Sequence, residues 1–197
     1  MSFLAGIAAR IFGIWELAFG DTRGLRAFRA APREVYLSFL AIPIALPAEL
    51  AQRIDLWALD PASAPATALL RWHGLIIEGL TDLISWLAFL LLAYEICRLL
   101  KCSHRWVWLA VLWNWSQLVQ ASLALAANLP DLLGAPDLIG QSLLFVSLCW
   151  AIWFDWKIMR LSLGVPVLEA VMFVALDAVI SNAVPVLAAH LNHLPPL

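Results

Sequence analysis

Five long apolar stretches divide this chain, and its basic residues crowd onto alternate connections between them. Ten of the 12 lysines and arginines precede the first stretch, or lie between the second and third or the fourth and fifth. Only Arg53 and Arg71 fall elsewhere. An unpaired backbone amide in hydrocarbon costs several kcal/mol, so such a chain crosses lipid as helices that satisfy their own hydrogen bonds. About 20 residues at 1.5 Å rise cover the roughly 30 Å core. Cytoplasmic loops retain lysine and arginine, which predicts an amino terminus in the cytoplasm and a carboxyl terminus outside.

Composition narrows the alternatives. Hydrophobic residues make up 63% of the 197, charged residues 13%, and the mean hydropathy of +0.88 excludes an ordinary soluble domain. The strict alternation of a membrane barrel is missing. A net charge of −2 leaves no electrostatic footprint for nucleic acid. Cys97, Cys102 and Cys149 show neither a CxxC pair nor zinc spacing, and the first two fall on the expected cytoplasmic side, where thiols stay reduced. Ten arginines against two lysines, with abundant Ala and Leu, suggest a GC-rich bacterial source and hence an inner membrane.

The fold expected is all-α: a single polytopic membrane domain over residues 1–197, with five transmembrane helices and an amphipathic interfacial helix at the amino terminus. In residues 1–34, Phe3, Leu4, Ile7, Ile11, Ile14, Trp15 and Ala18 recur at helical spacing. Gly6, Ala9, Gly13, Glu16 and Gly20 fall opposite, with Arg10 at the margin, which suits a helix lying on the membrane surface. Arg23, Arg26, Arg29 and Arg33 follow. They serve as a topology signal and can also reach acidic headgroups, at about 1 kcal/mol each. The spans are expected near 35–51, 72–100, 106–129, 138–163 and 165–191. Pro43 and Pro47 predict a kink in the first, and the second is long enough to tilt. Arg53 to Arg71 reads as an outer loop with Asp55, Asp60, Pro61 and Pro65. Trp57 and Trp72 mark one interface and Trp106, Trp108, Trp153 and Trp156 the other. Trp86, Trp113, Trp115 and Trp150 lie deeper, as packing residues or as an aromatic wall for a lipid, quinone or carotenoid.

Polar side chains inside lipid are the best functional pointers. Glu78, Asp82 and Ser85 share a face of the second span, with Arg71 two turns earlier. Asn114, Gln117, Ala121, Ala124 and Asn128 form a small-and-polar seam on the third, suited to close helix contact. Asp177, Ser181 and Asn182 lie on the fifth. Helical rise puts Asp177 level with Gln117, and Asn182 level with Gln120 and Asp82. With Gln141, these residues predict a shared polar pocket. Asp177 should be protonated or bonded to an amide, as interhelical glue or as part of a proton or cation relay with Asp82 and Glu78. Glu95 and Asp155 are expected to pair with Arg98 and Lys157, Glu49 to reach the outer surface, and Glu169 to favour the start of the last helix. His190 and His193 are three apart with His73 on the same side, yet two solvated imidazoles explain them without a metal. No GxSxG, HExxH or glycine-rich phosphate loop occurs, so no enzyme is expected, and no cofactor.

The plan resembles the bacterial members of the Yip1 superfamily of five-span membrane proteins. The similar stretches are Gly24-Leu-Arg-Ala-Phe-Arg-Ala-Ala-Pro-Arg33 running into the first span, and Trp150-Ala-Ile-Trp-Phe-Asp-Trp-Lys-Ile-Met-Arg160. The latter continues through Leu161-Ser-Leu-Gly-Val-Pro166 to Glu169-Ala170. The Asp-Leu-Tyr-Gly-Pro motif of the eukaryotic relatives is absent. The resemblance implies a non-enzymatic role in membrane organisation, trafficking or assembly. Two other readings stand beside it: a small transporter or channel subunit using the acidic and amide pocket, and an accessory subunit of a redox or photosynthetic complex. The expected partners are the lipid bilayer and a membrane protein or second copy of the chain, with no nucleic acid.

Overall fold

A computed structural model describes the backbone of residues 3–59 and 68–192, all of it helix, turn and short connection. The helices are α1 (Phe3–Ala18), α2 (Pro32–Ser38), α3 (Ala41–Leu59), α4 (Ala68–Leu99), α5 (Trp106–Leu132), α6 (Asp137–Leu163) and α7 (Val167–Asn192), with 3-10 turns at Thr22–Ala27 and Ser103–Arg105. Four segments are long and apolar enough to cross a membrane: Pro32–Gln52, Trp72–Leu99, Leu138–Leu163 and Val167–His190.

The fifth expected span, α5, has the length but not the apolarity, and its position explains why. It packs against α6, α3, α2, α1 and α4, and every residue from Leu109 to Ser116 is buried. A helix enclosed by other helices has no need of a greasy perimeter. Its interior positions carry Asn114, Ser116 and several tryptophans. Around it α4 pairs with α7, and α7 with α6. Phe89, Leu112, Trp115, Phe154, Ile158 and Phe173 are among the fully buried side chains at these contacts. Lipid tails are as apolar as leucine, so fit and interhelical hydrogen bonds hold such helices together rather than escape from water.

The helix ends follow local chemistry. At the close of α1, Gly20 takes φ +95°, its N–H donates to Leu17 O, and the Asp21 N–H donates to Glu16 O at 2.9 Å, a Schellman closure. Gly134 and Gly164 also end helices at positive φ, and Lys101 does so with φ 58° at the end of α4. The first expected span is broken rather than merely kinked. α2 stops at Ser38 and α3 starts at Ala41, with short-range bonds from the Leu40 N–H to Leu37 O and the Ile42 N–H to Phe39 O. Pro43 has no N–H for Phe39 O, and its ring crowds that carbonyl, so the break falls one turn before the proline. Pro47 is absorbed within α3.

The outer loop expected at Arg53–Arg71 is shorter than that. α3 runs to Leu59 and α4 begins at Ala68, because nothing before Asp60-Pro61 stops a helix. Asp60, Pro61 and Pro65 lie outside the described residues, as do the side chains of Arg53, Asp55, Trp57 and Arg71.

α1 does not divide its faces as periodicity predicts. Ile14 and Leu17 are fully buried, whereas Phe3, Leu4 and Phe12 point outward. Gly13, expected on the polar side, is a docking residue: a Cβ there would meet Ala27 Cβ at 2.6 Å, and one on Gly24 would strike the Gly13 carbonyl. The backbones of α1 and the following 3-10 turn therefore touch at a glycine pair. Arg10 ties α1 to α2 through Glu34 at 2.6 Å. Asp21 accepts from the Arg23 N–H at 2.9 Å, and its bonds to the Arg23 side chain and amide hold its carboxyl below the ordinary value. Lys157 of α6 donates to Leu17 O at 2.8 Å, placing a cation where the last carbonyls of α1 gather negative charge. Leu25 and Ala30 border one cavity with His104, Arg105 and Leu161. The amino-terminal segment thus lies at the same end of the bundle as the α4–α5 and α6–α7 connections.

Candidate functional site

Four helices deliver polar side chains to one cavity of about 320 Å³. Glu49 comes from α3, Asp82 and Ser85 from α4, Gln117 and Gln120 from α5, and Asp177 and Ser181 from α7, with the indoles of Trp86 and Trp113 in the wall. Asp177 is ten residues into α7 and Gln117 eleven into α5, so each sits about 15 Å along its helix at 1.5 Å per residue. Glu49 and Asp82 stand within electrostatic reach of each other, and so do Asp155 and Asp177. No lysine or arginine lines this cavity among the described residues.

Of the expected pocket residues, Asp82, Gln117, Gln120 and Asp177 are brought together. Glu78 is one turn before Asp82 on α4, half-buried, and does not line the cavity. Asn114 is one turn before Gln117 but faces elsewhere. It is fully buried, accepts from Trp86 Nε1 at 2.7 Å and donates from Nδ2 to Ser38 Oγ at 2.7 Å; Ser38 in turn donates to Val35 O at 2.7 Å. This chain of bonds fastens α4, α5 and α2. Asn182 is exposed and, among the described residues, bonds back to Ala178 O at 2.7 Å. Gln141 is exposed as well. Ser181, four residues after Asp177, takes the place expected for Asn182.

Two acidic residues are placed differently from expectation. Glu49 turns into the cavity instead of reaching the outer surface. Asp155 does not pair with Lys157; it is buried and accepts from Gln120 Nε2 at 2.7 Å. Residues two apart on a helix point to nearly opposite sides, so that pairing was never open to it. Glu95 and Arg98, three apart, do pair at 2.8 Å.

Gln120 therefore bridges the cavity to α6. Gln52 reaches across from α3 to Ala121 O at 3.3 Å. A second cavity of about 490 Å³, bordered by Leu144, Leu148 and Ala151 of α6, shares Glu49, Gln117 and Gln120 with the first. On the seam of α5, Ala121 and Ala124 line this second space. Asn128 bonds within its own helix, to Ala124 O at 2.9 Å.

The deep tryptophans pack against protein. Trp113 lies 4.3 Å from Phe89 and 5.5 Å from Trp86 between ring centroids, and Trp150 stacks on Phe154 at 5.0 Å. The indole nitrogens of Trp113 and Trp115 are buried without a hydrogen bond of good geometry. The acceptor within electrostatic reach of the Trp113 N–H is the Asp177 carboxyl. His73 and His190 are exposed, and His193 lies outside the described residues. Among the described residues no three His, Cys, Asp or Glu side chains converge in a metal-binding group.

An acidic cavity walled by amides and indoles can hold a positively charged guest. Carboxylates supply charge, glutamines orient it, and ring faces attract cations within about 6 Å of their centroids. Comparisons with protein-family models, with curated proteins and with solved structures find no match.

Proposed function

We propose that this chain is a non-enzymatic inner-membrane protein of five crossings, α5 completing the set, that binds a small cation or an amine-bearing solute in its intramembrane cavity as a transport or solute-binding subunit. The amino terminus lies in the cytoplasm and the carboxyl terminus outside. One observation carries the reading: Glu49, Asp82 and Asp177, from three different helices, line one cavity with two glutamines, two indoles and, among the described residues, no basic side chain. Carboxylates at bilayer depth are expensive and are kept where they meet a partner or a passing charge.

The test uses the full chain in a neutral detergent and tetramethylammonium or sodium chloride as titrant. Trp86 and Trp113 wall the cavity, so a bound cation changes tryptophan emission. Asp177→Asn and Asp82→Asn are each expected to weaken that response at least tenfold, about 1.4 kcal/mol. Purified protein in liposomes should carry the same cation or a proton down its gradient, and Asp177→Asn should abolish the flux. A wild-type protein silent to both cations, or an unchanged response in both variants, refutes the reading.

A second reading, a membrane-organising scaffold of Yip1-like type, is favoured by the docking of α1. A segment glycine-locked to its own turn and capped by Lys157 presents a fixed surface to a partner. Co-purification of a stoichiometric membrane-protein partner, lost on disrupting α1, supports it.

A further inference from the structure

A groove of about 540 Å³ separates α1 from the connection to α2 and from α2 itself. Arg10, Arg26, Arg29 and Arg33 line it together with Glu34 and the apolar side chains of Phe3 and Leu37, which form its apolar margin. Arg10 is already committed. Its guanidinium donates to Glu34 Oε2 through Nε at 3.0 Å and Nη2 at 2.6 Å, and to Gly6 O at 2.7 Å. Among the described residues the side chains of Arg26, Arg29 and Arg33 make no ion pair or hydrogen bond, and Arg26 stands within electrostatic reach of Asp21, so the groove keeps a net positive charge.

A topology signal needs only charge on the correct side; it does not need a concave site. Here the charges converge on a cavity whose size falls in the roughly 300–1,000 Å³ class of small-molecule sites. Bare phosphate would leave most of it empty. The apolar margin continues into Pro32–Gln52, a segment fit to cross the bilayer, so a guest with a charged head and a greasy tail would reach both. We propose that this groove is a binding site for an anionic phospholipid, its phosphodiester seated between Arg26, Arg29 and Arg33 and its acyl chains running along α2. Guanidinium groups present planar forks of donors that match phosphate oxygens. The Arg10–Glu34 pair ties α1 to α2 across the groove. This site is independent of the acidic cavity, lying on different helices.

Native mass spectrometry of the full chain, purified in neutral detergent and supplied with phosphatidylglycerol, tests it. The wild type should retain phosphatidylglycerol and not phosphatidylcholine, and inorganic phosphate at equal concentration should not displace the lipid. Each of Arg29→Gln and Arg33→Gln should lower retention about fivefold, and the triple variant with Arg26→Gln about a hundredfold. Arg98→Gln, Lys101→Gln and Arg160→Gln together remove equal charge outside the groove and should leave retention unchanged. If the triple variant does not purify, the two single variants decide. Equal retention of phosphatidylcholine, equal loss in the control variant, or no loss in either single variant overturns the proposal. Displacement by inorganic phosphate overturns the lipid in favour of a free-phosphate site.

Discussion

Asn114 shows how much one buried amide can hold. Its two hydrogen bonds satisfy an indole N–H from α4 and a hydroxyl from α2, both deep in the bundle. Replacing it with Ala strands the Trp86 N–H, while the Ser38 hydroxyl keeps its bond to Val35 O; a stranded buried polar group costs about 1–3 kcal/mol, though such bonds between membrane helices average nearer 0.6. Asn114→Ala should therefore lower unfolding stability in mild detergent by about 1–2 kcal/mol. Asn182→Ala, which removes only an exposed bond to its own helix, should stay within about 0.5 kcal/mol of wild type. Thermal unfolding followed by circular dichroism separates the two; equal losses would mean that burial at Asn114 is not what matters. The same scale explains Ser181 over Asn182. From Asp177, a step of four returns to the same helix face and a step of five does not.

At the scale of elements, most helices were legible because each apolar run is long and bounded by glycine, proline or charge. The predicted ends of the last three spans lie within a few residues of α5, α6 and α7. What periodicity could not show was which helix is enclosed. α5 reads as an ordinary span with polar interruptions, and only its neighbours reveal that those interruptions face protein. Glu49 was missed for a related reason. Beside Pro47 it looks like the polar end of a kinked span, but α3 continues past it and turns it inward. Asp155 was misassigned by sequence nearness: helical spacing turns it away from Lys157, and its partner Gln120 lies on another helix. The amphipathic reading of α1 failed at Gly13, because a glycine counts as weakly polar in a periodicity argument while here it marks backbone contact. That contact makes a prediction. Gly24→Ala drives a methyl group into the Gly13 carbonyl, an overpacking typically costing about 1–3 kcal/mol. Limited proteolysis should then cut within residues 18–31 faster than in wild type. Gly79→Ala, where an added Cβ meets nothing within 4 Å, should be neutral or stabilising by up to about 1 kcal/mol. Unchanged cleavage in Gly24→Ala would show that α1 is not held through this pair.

For the whole molecule, parity decides orientation. Four crossings return the chain to the side it left and five do not, so the ends report on α5. Leu87, Leu91, Phe145, Val146, Val179 and Val186 are exposed on the outer helices, and together with their neighbours they suit contact with acyl chains. Alkaline phosphatase fused at the carboxyl end should be active, and a fluorescent protein fused at the amino end should glow, in the same bacterial host. A glowing amino end with an inactive phosphatase at the carboxyl end would put both ends in the cytoplasm and remove α5 from the set of crossings. The contact between Lys157 and Leu17 O spans 140 residues of chain. A ribosome adding about 5–20 residues per second needs roughly 7 to 28 seconds to cover that distance. During that interval α1 has emerged without its terminal clasp, so it waits for a helix made long after it before that end is secured.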